Sequence, residues 1–316
     1  GACRAGNIYN LLQRVLYRMV EQGQLEYAQI PVISLNLMGE EKHTGFRITP
    51  SLLSGGIAAG CYGDLIMCLY QQVKPYEQNP GETDRIRSQV EKKLCESIRR
   101  HRNGRHTREK NYRYACEAFS KVPVKPGKKK RVGITGEIYM KYSKLGNDDI
   151  ESFLLRQGME PYSGGFVNYC LYLVDTERYK AEKYQHNPIM AKACAFVLHR
   201  LCEAQKHLLT VIGETDRFQT DLPFPELKEK VQGILAEGCN TGDGWLIAAE
   251  VIQYVEKGCG SVLILHPFGC LVSHVCERGI LQRLHARFPD VSIQTIEYDY
   301  DQSKTLRESR ILLAIS

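Results

Sequence analysis

The chain has twelve cysteines, yet no two of them are separated by two residues. Zinc ribbons depend on such close pairs, so the spacing argues against this class of site. A chain of 316 residues is also too long to need a disulfide scaffold. We therefore expect mostly free thiols in a reducing, cytoplasmic setting. A few could be metal or cluster ligands that only the fold brings together.

Long apolar runs are absent as well. No stretch approaches the roughly eighteen apolar residues of a membrane span, and no signal peptide is visible. The chain does not begin with methionine, so we expect a fragment of a longer protein. Hydrophobic residues make up 43% and charged residues 25% of the chain, which suits a globular protein of about two domains.

Familiar catalytic and nucleotide-binding patterns are also missing. The chain has no Ser-His-Asp order, no HExxH pair and no EF-hand loop, and the glycines of Leu52–Gln72 fit neither phosphate-binding fingerprint. Gly133-x-x-Gly136-Glu137 follows a predicted strand and could form an anion loop, but a tight turn explains it equally well. Glu137 could bind a ligand in the cleft or cap a neighbouring backbone.

The net charge of +6 is concentrated in one segment. Ser97–Arg131 is dense in lysine and arginine, which could indicate nucleic-acid binding. The tyrosines among these charges, Tyr112 and Tyr114, fit the core stripe of a helix. We therefore favour a solvated helix face followed by a linker, and nucleic acid is an unlikely partner.

Hydrophobic periodicity predicts an α/β protein in three parts. Residues 1–43 form the tail of an N-terminal α/β unit, with a helix followed by a strand at Ile30–Leu35. Residues 44–127 are mainly helical and end in a linker rich in proline and glycine. Residues 128–316 alternate strand and helix, which predicts a flavodoxin-like or Rossmann-like, doubly wound parallel sheet. Within this part, Phe166–Leu173 is expected to hold a strand.

Cys270 is the most prominent candidate for a site. It follows a short apolar strand, Val262–Leu265, that is broken by Pro267 and Gly269. A cysteine at the carboxyl end of a parallel strand lies where α/β sheets bind ligands, although a buried thiol in a tight turn is the ordinary alternative. Cys3 would lie near the start of the first helix, where the helix dipole lowers a thiol pKa.

Other polar residues follow the last two strands. His274 is four residues after Cys270 and could face the same site, but we favour an exposed or capping histidine. Cys276 is expected in the core. Asp299 and Asp301 follow the last strand and could bind a cation or a hydroxyl group, or simply form a polar strand end.

Several short motifs follow one another along the chain. They are Cys3-Arg4-Ala5-Gly6-Asn7, Pro31–Asn36, Gly63-Asp64, Lys74–Glu77, Val132–Tyr139, Gly146-Asn147, Gly242–Leu246, His266–Cys270 and Tyr298-Asp299. In this order they resemble the dehydratase-like portion of the large 2-hydroxyacyl-CoA dehydratase activator-related proteins. The resemblance covers essentially the whole chain, with one departure at Asp243, where the family has Gly-Glu-Gly or similar.

The resemblance implies an iron–sulfur cluster, a [4Fe-4S] cluster by expectation, and an ATPase activator domain or subunit that delivers low-potential electrons to it. Carried over by position, Cys3 and Cys270 are the cluster ligands, and the remaining ligands come from a segment outside this chain. The chain would then be part of a dehydratase or reductase system, with a homo-oligomer as a further expectation and no membrane partner. The alternative is a non-catalytic scaffold that has no cluster and docks a partner through its basic segment.

Overall fold

The computed structural model describes residues 2–24, 26, 32, 49–299 and 301–316. These residues fall into two compact units, Gly1–Pro50 and Ser51–Ser316. The predicted helical and α/β parts thus lie in one unit. The predicted boundaries at residues 43 and 127 stay predictions.

The first unit contains helix α1 (Ala2–Glu21). Gly23 ends the helix with a positive φ of 68°, as its position in the sequence predicts. The backbone N–H of Gly23 donates to Val20 O and that of Gln24 to Met19 O, which is the hydrogen-bond pattern of a Schellman motif. Apart from Val32, the strand predicted at Ile30–Leu35 lies outside the described residues.

Three long helices begin the second unit: α2 (Pro50–Val73), α3 (Glu82–Arg99) and α4 (Arg105–Ser120). The segment Pro50–Tyr76 passes a length and composition test for a membrane span, with a mean hydropathy of 1.5. Core helices pass the same test, and Leu65 and Leu69 of α2 are fully buried against neighbouring helices. Composition alone is therefore weak evidence for a span.

A four-stranded parallel sheet follows, which confirms the predicted α/β class. Its strands are β1 (Arg131–Gly136), β2 (Glu160–Tyr162), β3 (Ser261–Pro267) and β4 (Ser292–Tyr298). They lie side by side in the order β2-β1-β3-β4, and every pairing is parallel. This arrangement is consistent with a doubly wound fold.

Helices connect the strands and close the chain. A π-helical turn, Ser273–Glu277, leads into the helix after β3. The helices are α5 (Ile138–Tyr142), α6 (Ile150–Arg156), α7 (Phe166–Lys183), α8 (Pro188–Gly213), α9 (Phe224–Glu229), α10 (Gly244–Glu256), α11 (Arg278–Arg287) and α12 (Lys304–Ile315).

The sheet is apolar on both faces because β3 alternates between two cores. Val262 and Ile264 pack on one side with α7, α10 and α11, whereas Leu263 and Leu265 pack on the other with α5, α6 and α12. All four side chains are fully buried. A continuous apolar run is the pattern expected of a parallel strand covered on both faces.

The predicted strand at Phe166–Leu173 is wrong, because this segment begins helix α7. Carboxylates from distant segments accept the first N–H groups of the helix. Asp64 accepts hydrogen bonds from Phe166 N (2.7 Å) and Val167 N (2.9 Å), and Asp221 accepts one from Gly165 N (3.0 Å). These caps come from other elements, so local sequence does not reveal them.

Candidate functional site

The candidate site lies beyond the carboxyl ends of β1 and β3. From β1 the chain first builds β2 on one side and later β3 on the other, so the direction of winding changes between these two strands. In open α/β sheets, ligands bind in the crevice at such a switch point. The segments that follow Gly136 and Pro267 therefore form the two sides of the crevice.

A tight turn forms the β1 side. Gly136 has φ of 131°, and a Cβ there would come within 2.0 Å of Leu265 O, so only glycine fits. The Glu137 backbone N–H donates to Leu265 O at 2.8 Å. The Glu137 carboxylate accepts hydrogen bonds from Tyr139 N (3.0 Å) and Met140 N (3.1 Å). Glu137 thus caps α5, which is the second of its two predicted roles.

A buried ion pair lies beneath this turn. Lys141 Nζ is 2.7 and 2.9 Å from the two carboxylate oxygens of Glu250, and Thr135 Oγ1 donates to Glu250 Oε2 at 2.5 Å. All three side chains are buried. Sequence reasoning missed this group, although Glu250 is the only charged residue in the first three turns of α10.

Cys270 forms part of the β3 side. Gly269 has φ of 70°, and the Cys270 N–H donates a hydrogen bond to Pro267 O at 3.3 Å. This hydrogen bond closes the turn predicted from Pro267 and Gly269. Cys270 is partly exposed rather than buried. His274 places Nδ1 2.8 Å from Cys270 O and Nε2 3.6 Å from Glu297 Oε2.

Two carboxylates, one buried and one partly exposed, flank a buried histidine next to this turn. His266 is fully buried, with Nδ1 3.2 Å from Glu277 Oε2 and Nε2 3.4 Å from Glu297 Oε2. The first contact has the distance of an ion pair but not the geometry of a hydrogen bond, and neither Glu277 oxygen has a hydrogen-bond partner among the described residues. Arg278 completes the cluster at 3.1 Å from Glu297.

Asp243 precedes α10 at the same edge. Its side chain makes no capping hydrogen bond and is buried. Burial, together with the nearby Glu137 and Glu277 carboxylates, raises the pKa of Asp243 to about 8. The crevice therefore holds more acidic than basic groups, with Lys141 as the nearest buried cation.

The predicted ligands are only partly placed by the structure. Cys270 lies at the carboxyl edge of the sheet, whereas Cys3 lies in α1 with its side chain outside the described part of the chain. The meeting of the two thiols stays a prediction. Asp301 N donates to Asp299 Oδ1 at 3.4 Å, as in a polar strand end, and the intervening residue is not described.

Two other cysteines lie near Cys270. Burial raises the pKa of the Cys276 thiol, and Cys239, Glu277 and Cys270 raise it further. Cys276 is half-buried rather than in the core. Within the described residues, however, no three histidine, cysteine or acidic side chains are close enough to hold a metal ion together. These residues alone do not form a complete cluster site, and no electron-transfer step follows from them.

A cavity of about 230 Å³ opens beside the crevice, between the helices α2 and α3 and the segment around α5. Lys141 and Tyr142 border both this cavity and the crevice. Its charged lining is balanced in sign, because Arg87 pairs with Glu91 and Lys144 pairs with Asp149. The cavity thus offers no excess charge to recruit an ion.

Part of the basic segment is paired with acidic neighbours. Arg99 and Arg100 pair with Glu96, and Arg113 pairs with Glu109 and Glu214. Tyr112 is fully buried in the helical core, as predicted. These pairs support the interpretation of a solvated helix face.

Comparison of this chain with protein-family models, with curated proteins and with solved structures gives no match in any of the three.

Proposed function

We propose that this chain contributes thiolate ligands, Cys270 and Cys3, to an iron–sulfur cluster in a dehydratase- or activator-like electron-transfer protein. The remaining ligands would come from residues outside the described part of the protein. Thiolates suit iron because they are soft, charged ligands. When bound, the cluster would accept and donate single electrons at low potential.

The observation that carries the proposal is the position of Cys270. It is partly exposed and follows the strand that flanks the switch point of the sheet, where a bound group could reach it. A cysteine retained only for packing would more often be fully buried, as Cys61 and Cys259 are. The resemblance to the dehydratase-related proteins supports the same residue.

Anaerobic reconstitution of the longer protein, including the segment expected to supply the remaining ligands, with iron and sulfide tests the proposal. We expect bound iron and acid-labile sulfide, with broad visible absorbance, and a loss of at least about tenfold in bound iron for Cys270→Ser. Cys194→Ser is the matched control, because Cys194 is also partly exposed but lies on α8. Equal iron content in the two variants, or no iron in the wild-type longer protein, would refute the proposal.

A further inference from the structure

Helix α8 exposes an apolar face in its first half only. Its inward positions pack on α7 throughout, and in the second half the outward positions are polar, among them Glu203 and Thr210. In the first half, by contrast, Ile189 is 81% and Phe196 67% exposed. The outward residues of the second half are polar, so α8 forms there without an apolar outer face. The apolar outer face of the first half is therefore not required for the helix to form.

The exposed apolar residues form a stripe along the helix. Ile189, Ala193, Phe196 and Val197 recur at helical spacing, so they lie along one side of α8. Continued to Arg200, the stripe is about 17 Å long. Ala193 leaves a recess between the larger side chains, into which a side chain of a second helix would fit.

The charges beside the stripe are all positive. The chain has no aspartate or glutamate from Gln185 to Cys202, whereas Lys192 and Arg200 flank the stripe. The acidic residues of the adjoining α7 are already paired, Glu177 with Lys180 and Glu182 with Arg178. Among the described residues, Lys192 and Arg200 form no ion pair, and the nearest carboxylate along α8, that of Glu203, lies beyond the end of the stripe.

We propose that this stripe, Ile189–Arg200 of α8, is a docking site for an amphipathic helix with acidic residues along its rim. The apolar face supplies the contact area and the cations Lys192 and Arg200 select the charge of the partner. A second copy of the chain fits less well, because an antiparallel pair crossing at Phe196 would place Lys192 beside Arg200 of the other copy. An anionic membrane would gain nothing from the recess at Ala193.

Fluorescence anisotropy with synthetic helices tests the proposal. The probe is a peptide of about five turns with a leucine stripe flanked by glutamates, and its twin carries lysines in their place. We expect the acidic peptide to bind, more weakly at high salt, and the lysine twin not to bind. Phe196→Ser should weaken binding by at least about tenfold, whereas Leu313→Ser, an equally exposed residue of α12, should not.

The variant Lys192→Glu leaves the apolar stripe intact and changes only a charge at its edge. A change in peptide binding by this variant therefore reports on charge and not on misfolding. This variant should lose affinity for the acidic peptide and gain affinity for the lysine twin. Equal binding of the two peptides, or of neither, would overturn the proposal. A concentration-dependent dimer in sedimentation that Phe196→Ser abolishes would also overturn the proposal. Co-flotation of the protein with vesicles of phosphatidylcholine and phosphatidylserine at about three to one would do the same.

Discussion

The Lys141–Glu250 pair links the first helix of the α/β region to the helix that precedes β3. Each partner is almost completely buried, so each depends on the other for compensation of its charge. Removing one partner leaves a buried charge in a medium that solvates it poorly. The pair is therefore the residue-scale feature on which the β1 side of the crevice most depends.

Lys141→Met should lower the free energy of unfolding by about 3–5 kcal/mol, because it leaves Glu250 buried and unpaired. The double variant Lys141→Met/Glu250→Gln should recover part of this loss. Lys121→Met, which breaks the exposed pair with Glu117, should change stability far less than Lys141→Met, because water and salt screen that pair. Urea denaturation measures all three, and a double variant less stable than Lys141→Met would contradict the argument.

Residues that act locally could be predicted from sequence, and residues that act across the fold could not. In its capping role, Glu137 accepts hydrogen bonds from Tyr139 N and Met140 N, which follow it in the chain by two and three residues. The turn that presents Cys270 is specified by Pro267 and Gly269. Lys141 and Glu250, by contrast, are 109 residues apart, and only the parallel sheet brings them together.

Among the elements, the turn after β1 has the tightest steric requirement. Gly136→Ala combines a positive φ with a collision against the Leu265 backbone, so it should cost at least about 3 kcal/mol. Gly258→Ala is the matched control, because Gly258 has φ of 86° but nothing within 4 Å of the added Cβ. Its cost should be only about 1 kcal/mol. Equal thermal shifts for the two variants would show that the collision is relieved elsewhere.

The start of α7 depends on carboxylates that its own sequence does not contain. Asp64→Ala removes the acceptor for two N–H groups and should destabilise the fold by about 1–3 kcal/mol. Asp216→Ala removes an exposed carboxylate that makes no ion pair among the described residues, and should change stability by less than about 0.5 kcal/mol. Guanidinium denaturation followed by far-ultraviolet circular dichroism compares them.

This dependence explains why α7 was predicted as a strand. Phe166–Leu173 is rich in aromatic and apolar residues, which favour strands in local propensity. The buried positions Val167, Leu171 and Tyr172 nevertheless follow helical spacing. The carboxylates of Asp64 and Asp221 cap the start of α7 and so stabilise the helix further. The pairing of β1 with the short β2 also depends on residues that are distant in the chain.

At the scale of the whole molecule, two sets of carboxylates give opposite pH dependence. Burial would raise the pKa of Glu77, but hydrogen bonds from Lys74 and the backbone of Gly81 hold it below its usual value, so its contribution is lost in acid. Burial raises the pKa of Asp64 to about 7 and that of Asp243 to about 8. The folded chain then binds more protons than the unfolded chain.

Stability should therefore fall as the pH rises from about 4 to about 8, because the unfolded carboxylates release protons that the folded ones retain. Asp243→Asn should remove part of this slope. At pH 9, where the wild-type side chain is charged, it should stabilise the fold by on the order of a few kcal/mol. Urea titrations at several pH values measure the slope, and an unchanged slope in the variant would contradict the assignment.

The pairing of β1 with β3 also constrains the order of events during synthesis. About 125 residues separate the end of β1 from the start of β3. At the usual rate of translation, the ribosome needs roughly 6–25 s to make this stretch. During that time one hydrogen-bonding edge of β1 has no strand to receive it, and the apolar face destined for α12 is uncovered. The nascent chain should therefore be most vulnerable to aggregation in this interval, when chaperone binding would protect it most.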